Sequence, residues 1–344
     1  MHSDSFPLLT NQTYLNTAYV GLMSSALARH RSEQDESYVK LGPLYKAKAY
    51  ESLDTTHHLV GQFFGSQPQN SFVVHNFSHG IRQALSFLPK DAKVLLLEDD
   101  YPSLCEAFRE LHFPIQSLKQ QPDLEESIEQ VLSTSSIDIL ALSIVQYTTG
   151  MLIDFDFLKK IKEKFPRLII MGDGTQFLGA HSFQFDESPF DVVAASGYKW
   201  MLAGFGNGIL MVSQDFLEFA QIQTKHLYDR IFNGHFNLLA TSSLHFAINQ
   251  LVQADFSKLM YKKEALSIRA KEELTETRFL APWVATRKKH SSIFSLLGGE
   301  SLYRHLKENK IDCIQRGEGV RVSFHFYNNE SDLAALMEAL AHFK

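Results

Sequence analysis

Cysteine is almost absent: Cys105 and Cys313 are the only two in 344 residues. They could form one internal disulfide at most, so neither an oxidised framework nor a four-cysteine zinc site is available. A reducing, cytoplasmic setting is expected. Positive charge is also scarce, with 33 lysines and arginines against 39 acidic residues and a net charge of −6. A nucleic-acid binder relying on a basic face is therefore disfavoured. The most apolar long window, 192–212, is interrupted by Lys199 and by Gly197, Gly204, Gly206 and Gly208, which rules it out as a membrane helix. Residues 1–20 lack a basic start followed by an apolar stretch, so neither export nor a membrane anchor is expected. Metal chemistry has no support either, since His57-His58 and His75-x-x-x-His79 come without the carboxylate of an H-E-x-x-H pattern.

What is present describes an ordinary globular chain: 44% apolar and 21% charged residues, long enough for about two domains at roughly 150 residues each. From about residue 70 to 215, short β-branched runs alternate with amphipathic stretches. This predicts an α/β fold, a mostly parallel sheet covered by helices. Strands are predicted at 72–74, 94–97, 137–144, 168–171, 192–195 and 208–212, with helices at 80–88, 103–111, 123–132 and from 214. After residue 236 the period lengthens, with helices at 238–255 and 262–277. Short strand-like runs follow at Trp283-Val-Ala, Ser292-Ile-Phe-Ser and Val320-Arg-Val-Ser, implying a small α+β domain. The expected division is a large domain over 16–255 and a small one from 1–15 with 256–344.

Ligands of open parallel sheets bind beyond the carboxyl ends of the strands. Four loops there carry polar residues: Asn76-Phe-Ser-His-Gly80, Gln146-Tyr-Thr-Thr-Gly150, Gly172-Asp-Gly-Thr-Gln176 and Ser196-Gly-Tyr-Lys-Trp200. Asp173 and Lys199 each follow an apolar strand, so an acid and an amine converge on one crevice. A lysine at the end of a buried strand loses hydration, which favours the neutral, nucleophilic amine that forms imines with aldehydes. Pyridoxal phosphate is such an aldehyde, and a carboxylate in the position of Asp173 would keep its pyridine nitrogen protonated. Spacing equally allows a structural ion pair or a helix cap. Ser78 and His79 open a helix where a phosphate could sit, and Ser196 and Tyr198 could add donors; a simple N-cap by Ser78 is the alternative. Gly204, Gly206 and Gly208 miss the G-x-G-x-x-G spacing, which argues against a nicotinamide cofactor.

These loops, with Tyr14-Leu-Asn16 and the run from Arg316 to Asn328 followed by Asp332, resemble the class V aminotransferases, fold type I enzymes dependent on pyridoxal phosphate. The resemblance implies a large cofactor domain and a small C-terminal domain. It also implies roles: Lys199 as imine lysine and general acid/base, Asp173 at the pyridine nitrogen, Gln176 near the phenolic oxygen, and Ser78, His79, Ser196 and Tyr198 around the phosphate. Tyr101 would stack on the ring, and Arg321 would bind the substrate carboxylate in a bidentate fork, with Asn16 and Tyr147 also at the substrate. A surface or interdomain salt bridge is the plainer reading of Arg321.

The expected activity is conversion of an α-amino acid through an external aldimine and loss of the α-proton, aminotransferase-type, with a lyase or epimerase as the alternative. A catalytically silent scaffold is the non-enzyme alternative. The Gln146-Tyr-Thr-Thr-Gly150 loop is similar to the kynureninase and isopenicillin N epimerase branches. Cysteine desulfurases of the family need a cysteine on a loop shortly before the C-terminal arginine; here Cys313 is expected on a strand-like stretch and Cys105 in an early helix, so desulfurase activity is not expected. Amino or keto acids are the expected partners, in a homodimer with a shared site. There, His235 of Gly234-His-Phe-Asn237 stands where relatives carry the threonine that reaches the neighbouring subunit's phosphate.

Overall fold

The computed structural model describes residues 5–343. Met1–Asp4 and Lys344, which the sequence assigns to the small domain, lie outside the described residues. Among the described residues, twelve strands form three sheets: β1 (Thr13–Tyr14), β2 (Ser71–Val74), β3 (Val94–Leu97), β4 (Ile115–Leu118), β5 (Ile139–Ser143), β6 (Ile169–Asp173), β7 (Val192–Ser196), β8 (Gly208–Val212), β9 (Ile293–Leu297), β10 (Ile311–Asp312), β11 (Ile314–Arg316) and β12 (Gly319–Ser323). The largest has seven strands in the order β2-β8-β7-β6-β5-β3-β4, in which β8 alone runs against the rest. This is the mostly parallel sheet expected. Strands β3 and β5 to β8 are buried along their whole length, as unbroken apolar sequences require when helices cover both faces.

The chain leaves β3 toward β4 on one side and leaves β5 toward β6 on the other, so the strand order reverses between β3 and β5. The cleft beyond their carboxyl ends is where such sheets take ligands. A second apolar cluster joins Leu15 to residues from the helix Phe256–Thr275 through to Leu340. It packs around the three-stranded sheet β11-β12-β9, while β1 pairs with β10. The N-terminal segment ties the two cores together, since Asn16 bridges Ser323 and the Ser323 amide donates to the Leu15 carbonyl.

Two expectations fail here. Trp283-Val-Ala is not a strand but lies in the short helix Pro282–Thr286. Pro282 explains the difference: at a first helical position its fixed φ suits a helix, whereas a ladder would need the N–H it lacks. Cys313, expected on a strand-like stretch, falls in the break between β10 and β11.

Candidate active site

The acid and the amine sit together beyond the carboxyl ends of β6 and β7. Asp173 ends β6 and accepts a hydrogen bond from the Thr175 amide at 2.8 Å. Burial raises its pKa, against those Thr175 bonds and the charge of Lys199. Lys199 follows β7, is only 7% exposed, and points its Nζ over the rings of Tyr198 and Tyr101, 5.6 and 5.9 Å from their centroids. Burial pulls its pKa down, and the nearby charges of Arg321 and Arg316 pull the same way while Asp173 opposes them. Among the described residues Lys199 makes no ion pair. The alternative of a structural Asp173–Lys199 bridge thus finds no contact, and a desolvated amine without a partner faces a buried acid.

The backbone around Lys199 is clamped. A Cβ on Gly21 would lie 1.9 Å from the Lys199 carbonyl oxygen. One on Gly179, whose φ is +87°, would meet Trp200 and Met201 backbone atoms at 2.8 Å. Only glycine permits both approaches. The neighbouring side chains are equally tied: Trp200 Nε1 donates to Gln176 Oε1, and Gln176 Nε2 donates to the Ala18 carbonyl. Gln176 therefore keeps one amide hydrogen free at most.

The helix Phe77–Leu85 starts after β2 and is capped by Asn76, not by Ser78: the Asn76 side chain accepts from the His79 amide at 2.8 Å. Ser196 Oγ accepts the Phe77 amide at 3.0 Å, and the Asn76 carbonyl takes the Gly80 amide. Among the described residues, the Ser78 amide alone of these first-turn donors has no partner. Ser78 Oγ shares a hydrogen bond with Ser103 Oγ, which Arg82 also approaches. This is the donor set an anion needs at a helix N-terminus. His79 is pushed down to about 4 by burial and by His75, and its buried Nδ1 finds no partner. Tyr198 stacks on the exposed Phe205 with centroids 5.0 Å apart.

On the other wall, Tyr101 and Tyr147 meet edge to face at 5.6 Å. Arg321, on β12, is 2% exposed and donates from Nη1 to the Tyr147 carbonyl at 2.5 Å. Its Nε is buried without a partner, and among the described residues it pairs with no acid. Burial pushes its pKa down to about 10, assisted by Arg316. The salt-bridge alternative for Arg321 is thereby removed. Asn16 leaves its buried Oδ1 unpartnered close by on the same bridge to β12. His235 is not brought to this cleft: it is exposed, bonds Tyr50 through Nδ1 at 3.1 Å, and lines a separate groove with Tyr38, Tyr45 and Lys46.

A family model for class V aminotransferases matches residues 38–336. The chain belongs to the class V aminotransferase family. Family membership makes it an enzyme that depends on pyridoxal phosphate, and the residues just described fit that group: an unpaired buried amine, an acid opposite it, and open donors at a helix start. No curated protein matches the sequence. Among solved structures, a C-DES mutant with glycine covalently linked to its PLP cofactor superposes with a TM-score of 0.87 at 16% identity, covering 100% of both chains. C-DES in complex with cysteine persulfide, described as a cystine C–S lyase, gives 0.82 at 18%, covering 98% of this chain and 99% of that one. A cysteine desulfurase from Thermococcus onnurineus NA1 gives 0.81 at 17%, covering 97% and 95%. At such identity the likeness speaks for the fold.

Sequence reasoning missed several residues of this class V site. Asp100 is 4% exposed and accepts from the Ser143 amide, from Ser143 Oγ and from the Tyr101 amide, joining the ends of β3 and β5. Its signal was available, since it follows an apolar strand just as Asp173 does. Asn76 outcompetes Ser78 as cap because it precedes the first helical residue. Arg316 opens the C-terminal run, but nothing in the sequence alone gives it a role.

Proposed function

We propose that this chain converts an α-amino acid by removing its α-proton at Lys199 Nζ, in the manner of an aminotransferase. The observation that carries the reading is the buried, unpaired Lys199 set between Asp173 and the unpaired Arg321. Pyridoxal phosphate, when bound, supplies a protonated ring that takes up the electron pair left at Cα. Lys199 would carry the cofactor and Asp173 would hold the proton on its pyridine nitrogen. The Ser78 amide and hydroxyl, with Ser196, His79 and Tyr198, would surround its phosphate, and Tyr101 its ring.

The residues' own chemistry fits these tasks. Burial and the neighbouring arginines pull the Lys199 amine down to about 7, so near neutral pH it can both take and give a proton, as a general acid/base requires. Asp173 feels Lys199 and Asp100, and the Thr175 amide fixes its carboxylate. Arg321 offers the edge formed by Nε and Nη2, because Nη1 is held by Tyr147. That edge matches a carboxylate and orients the Cα–H bond toward Lys199. Gln176 and Trp200 brace the lysine loop.

Cysteine-dependent sulfur transfer is not favoured. Cys105 and Cys313 are both buried, and burial pushes their thiols up to about 11 and about 12, far from the thiolate such chemistry needs. Two copies of the chain would share the site. The exposed Tyr38, Val39, Leu41 and Leu44 at the elbow between the helices Ser25–Leu41 and Pro43–Phe64, and the outward His235, support that arrangement. A fully active monomer in sedimentation would overturn it.

The purified protein should show the visible band of a lysine-bound cofactor, lost in Lys199→Ala. It should also convert a member of an amino-acid panel into the matching keto acid when a keto-acid acceptor is supplied. A wild-type protein loaded with cofactor but inert across the panel would refute the reading. Elimination or racemised product in place of a keto acid would assign the lyase or epimerase course.

A further inference from the structure

Arg316 has no task in the reading above, yet the fold aims it at the same cleft. Strands β11 and β12 form a hairpin in which Ile314 pairs with Arg321 and Arg316 with Gly319. Residues paired across strands and those two apart along a strand project from one face, so Arg316 and Arg321 share a face as diagonal neighbours. Gly319, directly opposite Arg316, contributes no side chain to that face; a Cβ there would lie 2.0 Å from Ser295 Oγ.

The Arg316 guanidinium lies 5.3 Å from the centroid of the Tyr19 ring, and its charge is felt at Lys199, Arg321 and Tyr101, all lining the site. Its hydrogen bond within the chain runs to the neighbouring Gln315 carbonyl at 3.5 Å. Among the described residues it forms no ion pair, and neither does Arg321. Two other half-buried arginines do have acidic partners: Arg82 grips Glu110 and Arg287 grips Glu125. Two like charges on one face, beside a desolvated lysine and with no acid between them, repel one another unless a ligand brings negative charge.

One carboxylate would satisfy the free Nε/Nη2 edge of Arg321 and leave Arg316 over. We propose that Arg316 receives a second anionic group at the far end of the substrate, so that the enzyme selects α-amino acids with an acidic side chain and the corresponding dicarboxylic keto acids. Tyr19 holds the guanidinium in place by stacking, as exposed aromatic rings do for arginine. The inference rests on the site being the amino-acid pocket proposed above, and it assigns the substrate class for that pocket.

Equilibrium binding tests it without turnover. Calorimetry on the cofactor-loaded protein would compare glutarate, which carries two carboxylates, with butyrate, which carries one. Wild type should bind glutarate at least tenfold more tightly. Arg316→Gln should erase most of that difference, Arg316→Lys should restore part of it, and Arg321→Gln should weaken both acids. The cofactor band reports that each variant is folded. Equal binding of the two acids by wild type, or an equal loss for both in Arg316→Gln, would overturn the proposal; the second result would place Arg316 on the α-carboxylate with Arg321. Discrimination by wild type that Arg316→Gln erases, in a protein that converts no amino acid, would uphold the inference and refute the proposed reaction.

Discussion

Truncating Arg321 to Ala should cost this enzyme most of its activity toward amino acids, and the structure says how much. Nη1 is committed to the Tyr147 carbonyl, leaving Nε and Nη2 as the free edge. Two charge-assisted hydrogen bonds to a carboxylate contribute about 1.5–3 kcal/mol each, so about 3–6 kcal/mol of binding is lost, or roughly 10²–10⁴ in kcat/KM at 1.4 kcal/mol per factor of ten. Arg321→Lys keeps the charge but not the fork, and should fall between the two. The assay is kcat/KM for an amino acid and for the amine that lacks only its α-carboxylate, in wild type and both variants. The amine should be a poor substrate of wild type and should lose little further in Arg321→Ala. A loss of the same size for amine and amino acid would refute the reasoning, because it would mean that Arg321 acts on the fold or the cofactor and not on the carboxylate.

Lys263, buried with its Nζ donating to the Ala180 carbonyl at 2.5 Å, is pulled down to about 7 by burial. Between pH 7 and its ordinary 10.5 the unfolded chain holds the proton that the folded chain has released, so stability rises with pH across that window. Lys263→Met should flatten this slope in urea midpoints measured from pH 7 to 10; an unchanged slope would count against a neutral buried amine. Gly42 and Gly179 both have positive φ, but a Cβ on Gly42 meets nothing within 4 Å. Gly42→Ala should cost about 1 kcal/mol from backbone strain alone. Gly179→Ala adds the collision with Trp200, for a total nearer 3 kcal/mol, and should weaken cofactor retention; equal urea shifts would show that the lysine loop yields freely. Replacing Cys105 and Cys313 together by Ala should leave the turnover of amino acids within a few-fold, and the native protein should resist a disulfide-exchange reagent until unfolded. Fast labelling of the native protein would contradict the burial of both thiols.

The strands that carry the chemistry were the most legible part of the sequence. Unbroken apolar runs at β3 and β5 to β8 leave little choice but a sheet covered on both sides, and the polar residues ending the parallel strands β5, β6 and β7 mark the cleft. Asp173, Lys199 and Ser196 were found on that signal. The helix Ser25–Leu41 was illegible because Leu27 is its one buried residue, so no apolar stripe betrays it. The edge strand β4 has its two central residues exposed and breaks the apolar pattern. Trp283 misled because a short apolar run has no period of its own, and the proline before it decides the outcome. Arg316 could not be placed without the hairpin register, which only pairing across β11 and β12 reveals.

The reactivity of Lys199 depends on residues that are far from it in the chain. Its reluctance to hold a proton comes from burial under the finished sheet and from Arg321 and Arg316, more than a hundred residues downstream. On the ribosome, before that hairpin exists, residue 199 is an ordinary protonated lysine and a poor trap for aldehydes. The site around Lys199 therefore depends on the docking of β11 and β12, and the hairpin helps make the amine reactive.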